Sequence, residues 1–276
     1  MREMVFSGSF YPSSRSELNE MLDEFIKDAK INLKERENVI SAVAPHAGYI
    51  YSGRTAAFTY KLISEALKKN SIDTFIIIGP NHTGLGKPIA VSKEDWSTPF
   101  GVVKNDRALS DKIVKSSKLF EFDEEAHAEE HSIEVQLPFL QKIVKEPKCV
   151  FICMGDQSYE NAVEMSKIIY ESALALNKKI FIIASSDMNH YEDANTANKK
   201  DTEVLDALKA LDIPLFYNRI DEYNDTMCGY GPVATAALFS IKNKAKEARI
   251  LNYSNSGNVT KDYISVVAYA SIAFLA

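Results

Sequence analysis

A chain of 276 residues, 46% hydrophobic and 25% charged, is long enough to bury one large core. Its net charge of −6 comes from interspersed acids and bases, which excludes a basic nucleic-acid face. Three cysteines are too few, and odd in number, for a disulfide framework; no run reaches the roughly 20 apolar residues of a membrane span. The opening MREMVFSGSFYP lacks the apolar stretch of a signal peptide. A protein of the reducing cytoplasm, with no nucleic-acid or membrane partner, is the expectation.

Residues 13–30 place Leu18, Met21, Leu22, Phe25 and Ile26 on one helical face, with serines ahead as caps. Val39–Ala44 is a short apolar run closed by Pro45, which predicts a buried strand. A helix follows over Arg54–Lys69, then a second strand over Phe75–Ile78, stopped by Gly79-Pro80. Short β-like pieces surround Trp96 between 85 and 105. Helices are expected over Arg107–Ser116 and, after the acidic stretch EFDEEAHAEE, over Ser132–Val144. KCVFICMG is the third strand; Cys149 and Cys153 lie four residues apart on it, share a face and read as core packing. A helix over Tyr159–Leu176 and a fourth strand over Ile180–Ala184 come next. Helices over 198–210, 216–222 and Gly229–Ile241 and closing strands near 248–254 and 263–274 complete the order. Strands that alternate with helices and are apolar throughout predict one α/β domain over 1–276. Its central sheet is largely parallel or mixed, with helices on both faces.

The histidines are His46, His82, His127, His131 and His190. His46, His82 and His190 each follow a predicted strand by a few residues. Ligands of open α/β sheets bind at the carboxyl ends of the strands. One histidine there reads as a structural hydrogen bonder; three delivered to the same edge predict a functional pocket. Cys228 stands just before a predicted helix, with Gly229, Gly231 and Pro232 forming the turn into it. A helix N-terminus favours thiolate, which is a metal ligand and a nucleophile. The plainer alternative is a small residue at a tight turn. Asp187, three residues ahead of His190, can ligate, orient an imidazole or cap the following turn. Asn81, Asn189, Tyr49 and Tyr51 flank the same motifs, with turn formation or packing as equal explanations.

His127-Ala-Glu-Glu-His131 matches the inverted zinc-protease pattern H-x-x-E-H, whose histidines share a helical face. The stretch is acidic, weakly apolar and at a helix start, so it reads as a coincidence of a Glu-rich segment. His131 is retained as a residue that reaches the main pocket as acid or base.

Taken in order, FSGSFYP, APHAGYIYSG, GPNHTG, EEHSIEVQLPFL, SSDMNHY, MCGYGP and YSNSG with ISVVAYAS run from Phe6 nearly to the C-terminus. This ordered set resembles the signatures of the Memo family. The resemblance implies a fold similar to class III extradiol dioxygenases, non-haem iron enzymes that cleave catechol-type rings. It also implies a metal, iron or copper with zinc possible and no organic cofactor, held by His46, His82 and Cys228. His190 and Asp187 would line the same pocket. Related dioxygenases use two histidines and a carboxylate; here Cys228 takes the third place, and thiolate is softer and more easily oxidised. The pocket can therefore persist without ring cleavage.

Three functions compete. The first is a metal-dependent oxidoreductase with His190 as acid or base and Asp187 orienting it. The second is a non-catalytic protein that binds metal, a peptide or a small molecule in the pocket. The third is a cysteine-dependent hydrolase with Cys228 as nucleophile, His190 as base and Asp187 as orienting group.

Overall fold

The computed structural model describes residues 1–276. Its strands are β1 (Val39–Ala44), β2 (Thr74–Pro80), β3 (Ile89–Val91), β4 (Trp96–Thr98), β5 (Gly101–Asn105), β6 (Glu121–Phe122), β7 (Lys148–Met154), β8 (Ile180–Ser185), β9 (His190–Glu192), β10 (Glu247–Asn255) and β11 (Val266–Leu275). Its helices are α1 (Arg15–Asp28), α2 (Tyr49–Leu67), α3 (Arg107–Ser116), α4 (Glu125–Ala128), α5 (Leu137–Ile143), α6 (Tyr159–Ala175), α7 (Ala194–Lys209), α8 (Ile213–Tyr223), α9 (Tyr230–Lys242) and α10 (Gly257–Thr260).

The four apolar runs predicted as strands form the parallel centre of the sheet, in the order β1-β8-β2-β7. Antiparallel strands flank them: β11 and β10 beyond β1, and β3 beyond β7. The sheet is thus mixed. Side chains alternate across it, as the strand period requires. Phe75 and Ile77 pack toward α1, α2 and α5, while Ile76 and Ile78 pack toward α6 and α9. Both faces are covered, which is why these strands carry no polar alternation. Cys149 and Cys153 are buried together in the α2-side layer. No helix is long and apolar enough to cross a membrane.

Several boundaries differ from expectation. Helix α2 starts at Tyr49 and runs through Gly53. A Cβ at Gly53 would lie 2.5 Å from the Phe25 ring, so this glycine serves the close crossing of α1 and α2 and does not break the helix. The helix predicted over Ser132–Val144 divides into a 3₁₀ turn (Glu134–Gln136) and α5. Pro138 lacks an N–H and belongs in a first helical turn, so α5 begins there. Helices α7 and α8 start earlier than predicted, where Asp193 and Asp212 accept backbone N–H groups as caps.

The first twelve residues cross the carboxyl edge of the sheet and are tied down by a buried ion pair. Arg2 donates to Glu134 Oε2 at 2.6 Å and to the carbonyls of His127 and Glu130 at 2.7 and 2.9 Å. Its guanidinium carbon lies 4.1 Å from the centre of the Trp96 ring. Glu134 also accepts from the Val5 and Phe6 N–H groups and from the Tyr11 hydroxyl. This strap brings Phe6 and Phe10 against the His131 ring, at centroid distances of 5.5 and 4.7 Å.

Candidate metal centre

His46 sits two residues past β1 and His82 two residues past β2, so loops on either side of β8 deliver both rings to the carboxyl edge. The buried His46 ring is fixed by Ser185 at the end of β8, with Nδ1 to Oγ at 2.8 Å. The Ser185 hydroxyl donates its one proton to the Ser132 carbonyl and accepts from Gln136 Nε2. Its remaining lone pair must therefore accept from His46 Nδ1–H, which leaves His46 Nε2 bare.

His82 reaches the same state through Glu130. The fully buried Glu130 carboxylate accepts from His82 Nδ1 at 2.9 Å, from the His82 backbone N–H at 2.6 Å and from the Ser132 N–H at 2.8 Å. Burial alone would raise this carboxyl. The bonds and charge of His82, with His131 and the Ser132 N–H, outweigh burial and hold it at about 2. The ionised carboxylate keeps the proton on His82 Nδ1 and leaves Nε2 free. A carboxylate or hydroxyl behind each imidazole is how metal-ligating histidines are oriented.

His131 joins them, with its ring stacked on His82 at 4.6 Å and edge-on to His46 at 5.3 Å. Donor nitrogens of His46, His82 and His131 all lie within 4.8 Å of one another. Burial holds His46 well below the usual histidine range and His131 down at about 4, so both are neutral donors at ordinary pH. Cys228 Sγ lies 3.1 Å from His46 Nε2 and accepts from the Asp187 N–H at 3.3 Å. A sulfur and a nitrogen on one ion, at roughly 2.3 and 2.0 Å from it, are roughly 3.5 Å apart, so this pair suits a shared ligand site. Imidazole and thiol donors together fit a transition-metal ion and not a hard cation such as Mg²⁺.

The thiol itself differs from expectation. Burial and the neighbouring Asp187 push Cys228 well above the usual cysteine range, outweighing the helix N-terminus behind it. Gly229 sets its position: a Cβ there would meet the Ser185 carbonyl at 2.3 Å, so only glycine lets α9 start this close to β8.

Asp187 is placed differently from the orienting role expected of it. Its Oδ1 accepts from the His46 and Ala47 N–H groups at 2.8 and 3.3 Å. It thus shapes the backbone under His46, and burial raises its carboxyl to about 7 against those two bonds. His190 is oriented instead by Thr226, whose carbonyl is 3.1 Å from Nδ1. His190 lies in β9, paired with β11, and its charge bears on His46. The chain Cys228–His190–Asp187 required of a hydrolase is not assembled, because the sulfur pairs with His46. The H-x-x-E-H reading also fails. Helix α4 ends at Ala128, so His127 and His131 share no helical face. The His127 ring is buried edge-on to Trp96 and is not part of the cluster of His46, His82 and His131.

Behind the loops carrying His190 and Cys228 lies a buried pair of acids. Asp201 accepts from the Asn189 N–H and the Tyr253 hydroxyl, and Asp225 accepts from the Met227 N–H. Burial first, then the facing Asp225, push Asp201 up to about 8, so the two carboxyls share a proton at neutral pH. An unfolded aspartate titrates near about 3.9. The folded chain therefore holds the extra proton between those values, and stability falls as pH rises from about 4 to about 8. Asp201→Asn, which stays neutral and can donate to Asp225, should melt above wild type at pH 8 and lose that advantage by pH 4. Thermal melts at both values check this; parallel curves for the two proteins would refute the shared proton.

Residues 2–273 match the family described as Memo-like protein. MEMO1 family proteins of Methanosarcina barkeri and Archaeoglobus fulgidus are each 41% identical to the chain, with 99% of both chains covered in each case. A MEMO1 family protein of Methanococcus maripaludis is 43% identical over 282 residues, covering 98% of each chain. The crystal structure of an uncharacterized protein from Escherichia coli K12 is similar at a TM-score of 0.56 and 12% identity, covering 86% of this chain and 99% of that one. That last likeness is one of fold alone. The full-length family match and these whole-chain identities show that the chain belongs to the Memo family.

Proposed function

We propose that the chain holds one transition-metal ion, iron or copper, between His46, His82 and Cys228 and acts as a metal-dependent oxidoreductase on a small molecule. The observation that carries this is the orientation of the two imidazoles. Ser185 and Glu130 occupy both Nδ1 atoms, leaving both Nε2 atoms bare, and the Cys228 sulfur lies beside that of His46. An ion bound there supplies electron exchange and Lewis acidity. Glu130 keeps His82 in the ligating tautomer and offsets the positive charge. Phe6 and Phe10 keep water from one side of His131. His190, tied to Thr226 through Nδ1, offers the pocket a base.

The hydrolase alternative is less well supported. A nucleophilic cysteine works as thiolate beside imidazolium. Here burial favours the neutral thiol at Cys228 and the neutral imidazole at His46.

Elemental mass spectrometry of protein purified without oxygen tests the proposal. Wild type should carry near-stoichiometric iron or copper, and His46→Ala and His82→Ala should carry little. That result justifies a screen for oxygen-dependent turnover of small oxidisable molecules. Wild type that neither retains a metal nor takes up added Fe(II), Cu(I) or Zn(II) would remove the oxidoreductase reading.

A further inference from the structure

We propose that the amino edge of the sheet carries a second binding site, a cavity between β1 and β8 that takes a small aromatic carboxylate. It lies at the opposite end of these strands from the histidine cluster and does not depend on the metal-binding reading.

The cavity arises where two neighbouring strands part. The parallel ladder between β1 and β8 starts only at Ser41 and Ile182. Ahead of it, Val39 pairs with Leu275 on the other side, and the register slips before Ser41. The first residues of β1 and β8 are thus unpaired with each other. Ile40, Ile180 and Phe181 floor the gap, and the cavity above them holds about 340 Å³. That volume falls within the roughly 300–1,000 Å³ of small-molecule sites. Ala66 of α2, Ala173 of α6 and Phe239 of α9 wall it. Two of these three are alanines, and their short side chains leave the space open. Tyr170 also lines the cavity, with its ring 6.3 Å from that of Phe239. Aromatic walls over a floor of branched side chains suit a flat apolar body. At the mouth Leu174 is 62% exposed, apolar surface that an occupant would cover.

The polar groups at the mouth set the charge of that occupant. Lys178 and Lys179 are the charged lining residues, and no carboxylate lines the cavity. Lys178 is paired with the buried Asp106. Lys179 has no such partner; its ammonium meets the Ser71 hydroxyl at 3.4 Å. Asn70 donates to Asn38 Oδ1 at 3.1 Å, which leaves the Asn38 NH₂ as a second donor at the mouth. Helices α2, α6 and α9 all end here, and bare carbonyls at their ends would favour a cation instead. The carbonyls at the wall are already taken. That of Ala66 accepts from the Lys69 and Asn70 N–H groups, that of Ala173 from Lys178, and that of Phe239 from Asn243. An unpaired ammonium and a free amide over an apolar, aromatic-walled gap match one carboxylate on a flat ring system.

Titration of the full chain with naphthoate, followed through the backbone amides by NMR, tests the proposal. Naphthylmethanol, the same ring system without the charge, is the control. Naphthoate should shift the amides of Ala66, Ala173 and Asn243 and leave those of His46 and His82 in place. The alcohol should bind about tenfold more weakly, the scale of one ion pair near a protein surface. Lys179→Glu, at an exposed position, should weaken naphthoate by about tenfold or more and leave the alcohol unchanged. Ala173→Leu should exclude both probes by filling the cavity, with circular dichroism to verify folding. The comparison of acid with alcohol needs no variant.

Equal affinity for the two probes, or naphthoate binding indifferent to Lys179→Glu, overturns the assignment of a carboxylate. Shifts confined to the carboxyl edge, or no shift at millimolar naphthoate, overturn the site itself.

Discussion

Glu134→Ala is expected to destabilise the protein by about 3–5 kcal/mol, the scale for removing one partner of a buried ion pair. Arg2 and Glu134 are both almost wholly out of solvent, so the guanidinium left behind would have neither water nor a counter-charge. The loss extends past the pair. The Tyr11 hydroxyl and the N–H groups of Val5 and Phe6 all end on the same carboxylate, and each would be stranded. Urea unfolding at neutral pH measures the effect. The paired replacement Arg2→Met with Glu134→Leu should recover part of the loss, because it removes the orphaned charge but not the orphaned donors. A single-variant loss under about 1 kcal/mol would mean that the pair behaves like one exposed to solvent. His131 should feel the same variant, since the strap that Glu134 anchors carries Phe6 and Phe10.

Glu130→Gln is expected to weaken metal binding by about 10–100-fold while leaving the three histidines in place, the range for losing an outer partner of a ligand. The carboxylate accepts three N–H groups, and a glutamine amide must turn an NH₂ toward one of them. It also removes the negative charge that favours a cation beside His82. Chelator competition, with circular dichroism to verify folding, gives the answer. Unchanged affinity in a folded variant would show that the His82 tautomer is set by something other than Glu130.

The sequence reveals the centre of the sheet better than its edges. Strands β1, β2, β7 and β8 are legible because burial on both faces makes them continuous apolar runs ended by glycine, proline or polar residues. Strands β6 and β9 are too short to impose a pattern, so pairing alone defines them. Gly53 misleads about α2 because its purpose, the Phe25 crossing, involves a residue 28 positions away. At the candidate site, His46, His82, His190 and Cys228 stand out by position relative to strands and a helix. Glu130 does not. It sits among other acids in EFDEEAHAEE, and only its burial separates it from its neighbours. The one available signal is its place beside His131. Asp187 is visible as a residue of interest, yet its partner is the backbone at His46, a contact across 141 positions.

The position of β11 bears on the order of assembly. This last strand lies between β10 and β1, and its Leu275 pairs with Val39 near the beginning of the chain. Its Ala268 also exchanges backbone hydrogen bonds with Met188 and Asn189, fixing the loop that carries Asp187 and His190. Contacts this remote in sequence form late, after long loops have closed. Until β11 docks, the loop carrying Asp187, which accepts from the His46 N–H and donates to the Cys228 sulfur, lacks its outer support. The centre is therefore an end product of folding and not its seed. In contrast to small zinc modules that collapse around their ion, this chain should reach its native topology without an ion, and a metal bound at the proposed site would enter a finished edge of the sheet.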